Sequence, residues 1–337
     1  MLNAIAAAAG VILLSAAVTA AIRPTPSVRG RTVVIVGASS GIGRCLALEY
    51  AARGANLILC ARRLEQLQKH TSEDPRLRVS GLEQLVHRES HPNESSQDNT
   101  LPQTEPADHP SEAQMLDNTV VGDITQRTTQ LALLEAATKC DYLVLNAGAI
   151  SVLPIADQWE ESFEVAAADR VESQFQQILA LNVVAPAVVA GLFLPLLEKS
   201  RGSVVVVSSM AGLAAAPTRS LYSASKHAVS AYFNAFRMEV AGRGVAVTVV
   251  YPGTVDTDLR RAAVDAPSPV SSSTTVASGS SSGKLSPDTC ARQIVRAAAL
   301  GHASLITPFW PYALVPILYP IVPGFIDYLA KKKYGFA

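Results

Sequence analysis

Tyr222 and Lys226 stand four residues apart in "LYSASKHAVSAY", residues 221–232, a run that patterns as a helix. Four residues is one helical turn, so the phenol and the ammonium project from the same face. A phenol held beside a fixed cation could exchange a proton with a bound molecule. An ordinary amphipathic helix also yields such pairs, and the spacing alone does not choose. A second cluster lies near the start of the chain. In "GASSGIGR", Gly37, Gly41 and Gly43, with Ser39, Ser40 and Ile42 among them, follow the apolar run "TVVIV" and open a helix. Glycine at such turn positions lets a helix N-terminus approach a pyrophosphate that a side chain would hold away. The spacing G-x-x-x-G-x-G differs from the commoner G-x-G-x-x-G. Its weight therefore comes from its place between a strand and a helix.

The next strand ends in "CARR". A carboxylate there would bind the ribose 2′-hydroxyl of NAD. Arg62 stands there instead, 19 residues after Gly43, with Arg63 beside it. A guanidinium suits a 2′-phosphate by charge and by its fork of donors, which favours NADP(H) over NAD(H). The plainer reading makes both arginines the solvated start of a helix.

These positions need a frame, and the chain supplies one. Apolar, β-branched runs at 32–37, 56–61, 119–122, 142–148, 203–209 and 245–253, with a weaker one at 303–308, alternate with helical stretches at 42–53, 171–199 and 220–241. Continuous apolar strands between helices imply a mostly parallel sheet covered on both faces, a doubly wound α/β domain with right-handed crossovers. Two polar stretches, 71–118 and 266–287, interrupt the pattern. They read as surface insertions unable to bury enough apolar area to order themselves. Asn93-Glu94-Ser95 in the first is a glycosylation sequon, unused if this side is cytosolic.

Charged residues make up 17% of the 337-residue chain. That is below the usual ~25%, so part of it should meet lipid or a large apolar core. From Leu2 to Ile22 no charged residue occurs, about the length that crosses a bilayer. An uncleaved anchor over 1–23 is favoured over a cleaved signal peptide, because the run lacks a basic leading region. Arg23, Arg29 and Arg31 follow it and place the main domain on the cytosolic side. Residues 308–337 are apolar but carry five prolines, which excludes a straight spanning helix. The segment reads as lying on a membrane surface, with Lys331–Lys333 near anionic head groups. The other reading is a flap packed on the protein's own core or on a second copy in a homodimer. Formal net charge is zero, which offers no footprint for nucleic acid. Cys45, Cys60, Cys140 and Cys290 have neither a metal-like nor a paired spacing, and read as buried free thiols. No metal site is expected.

"GASSGIG", "NAG" (146–148), Asn182 in a long helix, "VVVVSSMAG" and "YSASK" occur in an order that resembles the short-chain dehydrogenases/reductases, over about residues 30–307 apart from the insertions. The runs "PTRSLYSASKHAVSAYFNAFRMEV" and "SPDTCARQIVRAA" are most similar to the membrane-associated dehydrogenase/reductase member 7 and 11β-hydroxysteroid dehydrogenase group. The resemblance implies a Rossmann-type sheet of seven strands. It makes Tyr222 the general acid/base and Lys226 the group that favours its phenolate and grips the nicotinamide ribose. An ammonium ~4 Å from a phenolate at an effective ε near 20 stabilises it by about 4 kcal/mol before desolvation subtracts. Ser209, rather than Ser208, would bind the substrate carbonyl, and Asn182 would hold a water that relays protons towards Lys226. Asp123 would contact the adenine, although a turn residue there would look the same. Asn146, Ala147 and Gly148 would floor the cofactor site, and Pro252, Gly253 and Thr257 would border the nicotinamide amide and pyrophosphate. His227, beside Lys226, is read as packing or facing solvent.

The insertion at 266–287 falls where the family keeps its substrate lid, so pocket shape does not follow from the resemblance. The expected function is NADP(H)-dependent hydride transfer to or from a hydrophobic small molecule of steroid, retinoid, sphingoid or acyl-dihydroxyacetone phosphate type. The expected setting is the endoplasmic reticulum membrane. An NAD-linked oxidase of lipid alcohols and a non-catalytic cofactor-sensing scaffold are the alternatives.

Overall fold

The computed structural model describes residues 24–63, 114–116, 119–159, 165–265 and 284–336. The expected anchor at 1–23, nearly all of the insertion at 71–118 and residues 266–283 lie outside them. In chain order the elements are β1 (Thr32–Val36), α1 (Gly41–Ala52), β2 (Asn56–Ala61), β3 (Gln114–Leu116), β4 (Thr119–Val121), α2 (Arg127–Ala136) and β5 (Tyr142–Leu145). Then come α3 (Ile155–Trp159), α4 (Val165–Leu179), a π-helical turn at Ala180–Val184, α5 (Ala185–Ser200), β6 (Ser203–Val207) and α6 (Ser220–Val240). The chain ends with β7 (Ala246–Pro252), α7 (Pro287–Ala299), β8 (Ser304–Thr307), α8 (Val315–Leu318) and α9 (Pro323–Tyr334).

The strands form one sheet in the order β3-β4-β2-β1-β5-β6-β7-β8. All seven expected strands are present and parallel. The expectation of seven needs one addition: β3 runs antiparallel to β4, with Met115 opposite Val120, inside the stretch read as an insertion. An open sheet edge carries unpaired amides and carbonyls, and three residues of β3 pair with those of β4.

Alternate residues of the buried strands feed two cores, as a pleated sheet requires. Val34, Ile58, Leu143 and Val204 pack with Phe193 and Leu197 of α5 and Phe233 of α6 on one face. Val33, Ile35, Leu57 and Val205 pack with Leu46 and Tyr50 of α1 and Ile294 of α7 on the other. The continuous stretch from Val165 to Ser200 is the one described helix long and apolar enough to cross a membrane. Phe193 and Leu197 in its second half are nonetheless fully buried against the sheet. At the lower end of the sheet the buried Asp141 carboxylate staples β1 to β5. It accepts from the Thr32 amide at 2.8 Å and pairs with Arg31 at 2.8 Å and Lys139 at 2.9 Å. Strand order reverses between β1 and β5, and the crevice beyond their C-terminal ends is where such sheets bind ligands.

Candidate active site

The turn between β1 and α1 sits at that reversal. Gly37 has φ +84°, and a Cβ there would meet the Ala147 nitrogen at 2.6 Å. A Cβ on Gly43 would lie 1.9 Å from the Gly37 carbonyl oxygen. Only glycine allows this turn to close so tightly onto β5. Asn146 fastens it by donating from Nδ2 to the Gly37 carbonyl at 2.9 Å, while the Asn146 and Ala147 amides both donate to Val36. The side chain of Asp123 accepts from the Thr125 amide at 2.9 Å and from its hydroxyl at 2.8 Å. Arg62 is exposed at the end of β2, and Arg63 reaches the Ser40 hydroxyl at 3.4 Å.

Tyr222 and Lys226, one turn apart on α6, are 7% and 5% exposed, and the ammonium lies 5.7 Å from the phenol's ring centroid. Lys226 donates from Nζ to the Val207 carbonyl at 2.9 Å, and burial lowers its pKa to about 8. A hydrogen bond joins the Ser209 and Tyr222 hydroxyls. Ser208 faces away, 2.8 Å from the Ser230 hydroxyl. Burial raises the Tyr222 pKa above the ordinary phenol value, against the opposing effects of the Ser209 hydrogen bond and the Arg219 and Arg260 charges. The expected lowering by Lys226 is therefore not met. Desolvation outweighs the charges around the phenol, and the ammonium is directed to the Val207 carbonyl.

The π-helical turn brings Asn182 to the back of this site, 2% exposed. Its Oδ1 accepts from the Ala149 amide at 2.8 Å, and its Nδ2 donates to the Ala149 carbonyl and the Ser225 hydroxyl, both at 2.9 Å. A Cβ on Gly148 would lie 3.1 Å from Asn182 Oδ1 and 3.6 Å from Lys226 Nζ, so both side chains approach the Cβ side of that residue.

One cavity of about 1090 Å³ joins these parts. Gly37, Ser39, Ser40, Gly41, Ile42, Arg62, Asp123, residues 146–148, Ser209, Tyr222, Lys226, Pro252, Gly253 and Thr257 all line it. Of the residues singled out in the sequence, Gly43 and Asn182 stand behind its wall. His227 is exposed, with Nδ1 2.9 Å from the Ser223 carbonyl of its own helix. All four cysteines are free and buried, with thiol pKa values pushed up to about 11–12 chiefly by burial. Among the described residues no three His, Cys, Asp or Glu side chains gather as a metal cage.

The far wall of the cavity comes from the C-terminal segment, none of whose lining residues was singled out in the sequence although a flap on the protein itself was one reading of it. Tyr312, Leu318, Phe325, Leu329 and Tyr334 of the C-terminal segment line it, and Lys333 reaches the Thr254 hydroxyl at 3.3 Å. That packing is a long-range tertiary contact with no local signal. The second insertion also has pinned ends. Buried Asp265 accepts from the Val152 and Leu153 amides, and the Leu285 amide donates to Thr254 at 2.9 Å. Arg219, three residues before Tyr222 and lining the cavity, lay within reach of a helical i, i+3 reading, yet only Lys226 at i+4 drew attention.

The sequence model of the short chain dehydrogenase family matches residues 31–88 and 99–267. The hydroxysteroid 11-beta-dehydrogenase 1-like protein A of Xenopus laevis is 28% identical over 313 residues, which cover 91% of this chain and 88% of that protein. The dehydrogenase/reductase SDR family member 7B of Bos taurus is 30% identical over 240 residues, covering 71% of this chain and 62% of that protein. A short chain dehydrogenase from Burkholderia cenocepacia J2315, solved in complex with NADP, superimposes with a TM-score of 0.60 at 18% identity, over 90% of this chain and 99% of that one. One from Burkholderia phymatum, solved with NAD, gives 0.62 at 20% identity, over 89% and 96%. At these identities the two solved structures speak to the fold alone. The family match runs through the glycine turn, the central strands and the Tyr222–Lys226 helix, and the chain belongs to the short chain dehydrogenase family of oxidoreductases.

Proposed function

We propose that this protein is an NADP(H)-dependent oxidoreductase acting on the carbonyl or alcohol carbon of a hydrophobic substrate, of steroid, retinoid, sphingoid or acyl-dihydroxyacetone phosphate type. The observation that carries this reading is the single cavity running from the glycine turn to Ser209, Tyr222 and Lys226. The bound nicotinamide supplies or accepts the hydride. The residues fit such a group, because glycine at 37 and 43 leaves the turn closed against β5 and open to the cavity. Gly37 to Gly43, Asp123, Asn146 to Gly148, Pro252, Gly253 and Thr257 would hold the dinucleotide. Arg62 would take its 2′-phosphate.

In reduction Tyr222 gives its phenolic proton to the substrate oxygen; in oxidation it takes the hydroxyl proton. Ser209 donates a second hydrogen bond to the same oxygen and fixes its position. Lys226 remains an ammonium up to about pH 8, is held by the Val207 carbonyl beside Tyr222, and would hold the nicotinamide ribose. Asn182 keeps the main chain at Ala149 and the Ser225 hydroxyl in place beside Lys226, where a relaying water would stand.

The C-terminal segment supports a lipid setting. Trp310 and Ile321 are each 70% exposed, while neighbours in the same segment line the cavity. A bilayer against this face would meet the substrate end. Together with the apolar run Leu2–Ile22 of the sequence, this supports a membrane setting, which we read as the endoplasmic reticulum with the catalytic domain in the cytosol.

Isothermal titration of NADPH and NADH, with Arg62→Ala alongside, tests the cofactor. NADPH affinity should fall about 10-fold in the variant with NADH affinity unchanged; equal affinity of the native protein for both would overturn the preference. A screen of lipid ketones at NADPH absorbance tests the substrate, and turnover of short soluble ketones alone would overturn it.

A further inference from the structure

Arg219 immediately precedes α6, lines the cavity and is 3% exposed. No carboxylate among the described residues pairs with it. Its Nη1 donates to the Ser151 carbonyl at 3.2 Å, the Thr218 carbonyl at 3.1 Å and the Thr218 hydroxyl at 2.9 Å. Its Nε and Nη2 make no hydrogen bond among the described residues, and the Tyr334 ring of α9 lies 5.6 Å away. Thr218, which holds Nη1, has φ +62°, a costly conformation for a β-branched residue. Asp265 attracts the guanidinium from a distance, but its carboxylate is taken by the Val152 and Leu153 amides.

Arg260 lines the same cavity, also without an ion-pair partner among the described residues, and its charge repels Arg219. The cavity's nearby carboxylate, Asp258, is paired with Arg261 at 2.9 Å. A buried cation without a counter-ion is unfavourable, and a second cation beside it compounds the cost. A guanidinium with a free edge is also the side chain best shaped for two-pronged contact with a carboxylate or phosphate.

We propose that Arg219, with Arg260 beside it, binds an anionic oxygen group carried by the substrate, so that the site selects lipid carbonyl compounds bearing a carboxylate or phosphate over neutral ones. This rests on the reading of the cavity's Tyr222 end as the substrate site. The anion would sit between the two guanidinium groups, with the reacting carbonyl towards Ser209 and Tyr222 and the hydrocarbon along Leu318, Phe325 and Leu329.

A medium-chain γ-oxo acid, its methyl ester and an alkyl phosphate of equal length test the proposal on the full-length protein. Calorimetric binding of the acid and the phosphate, in the presence of NADPH, should weaken roughly 10- to 100-fold in Arg219→Gln. Arg219→Lys should restore part of it, and the ester should bind both proteins alike. In turnover, KM for the acid should rise in Arg219→Gln while that for the ester stays put. Equal loss for acid and ester, with unchanged thermal unfolding, would overturn anion binding. So would a native protein that does not prefer the acid to its ester. Binding that follows the prediction without any turnover would sink the oxidoreductase reading and leave the anion site standing. Binding of the phosphate alone would restrict the site to phosphate esters.

Discussion

At Tyr222 two opposed effects meet. Burial makes the phenolate unfavourable, while the Ser209 hydrogen bond and the charges of Arg219 and Arg260 favour it, and burial wins. A phenol held above its usual pKa of about 10 keeps its proton across the neutral range. Carbonyl reduction uses that proton, so its kcat/KM should stay level from about pH 6 up to about pH 8, where Lys226 begins to lose its own proton. Alcohol oxidation needs the phenolate and should climb over the same interval, by up to about tenfold per pH unit. Steady-state rates in both directions check this, and a reduction rate that falls through pH 7 would contradict it. The Tyr–Lys–Ser constellation was legible because residue type and spacing carry its chemistry. The strength of the field was not. A sequence gives the number of bonds between Tyr222 and Lys226, but not the Val207 carbonyl that claims the ammonium.

Among the elements, the β1–α1 turn is the most constrained. A methyl group on Gly43 would collide with the Gly37 carbonyl at 1.9 Å, whereas one on Gly242 would meet nothing within 4 Å. Gly43→Ala should cost about 2–4 kcal/mol of stability and abolish measurable NADPH binding, and Gly242→Ala should leave both near native. Urea unfolding and NADPH titration read the two effects, and a Gly43→Ala protein that binds NADPH normally would contradict the packing. Strands such as β6, buried at every residue, could be read directly as apolar runs. The π-helical turn could not: "ALNVV" continues the helical pattern without a break, and only packing against Ala149 and Ser225 sets Asn182 apart. The three-residue β3 is likewise too short to leave a period, and only the free edge of β4 accounts for it.

For the molecule as a whole, the C-terminal segment links a cavity to an exposed apolar face. Its inner residues touch the substrate end, while Trp310 and Ile321 face outwards and do not line the cavity. Replacing both by Ser should lower turnover of a vesicle-borne lipid ketone several-fold while sparing the same ketone in detergent. Equal loss in both media would contradict a docking role. The proline density of this segment excluded a spanning helix from the start, but which side faced the protein depended on the finished sheet. The account turns most directly on one comparison, NADPH-dependent reduction of a lipid ketone by the native protein and by Tyr222→Phe. Phenylalanine keeps the ring packed against Ile150 and Val152. The rate should drop by about 10²–10⁴-fold with NADPH affinity unchanged. Turnover close to the native rate would contradict the assignment of Tyr222 as the proton carrier.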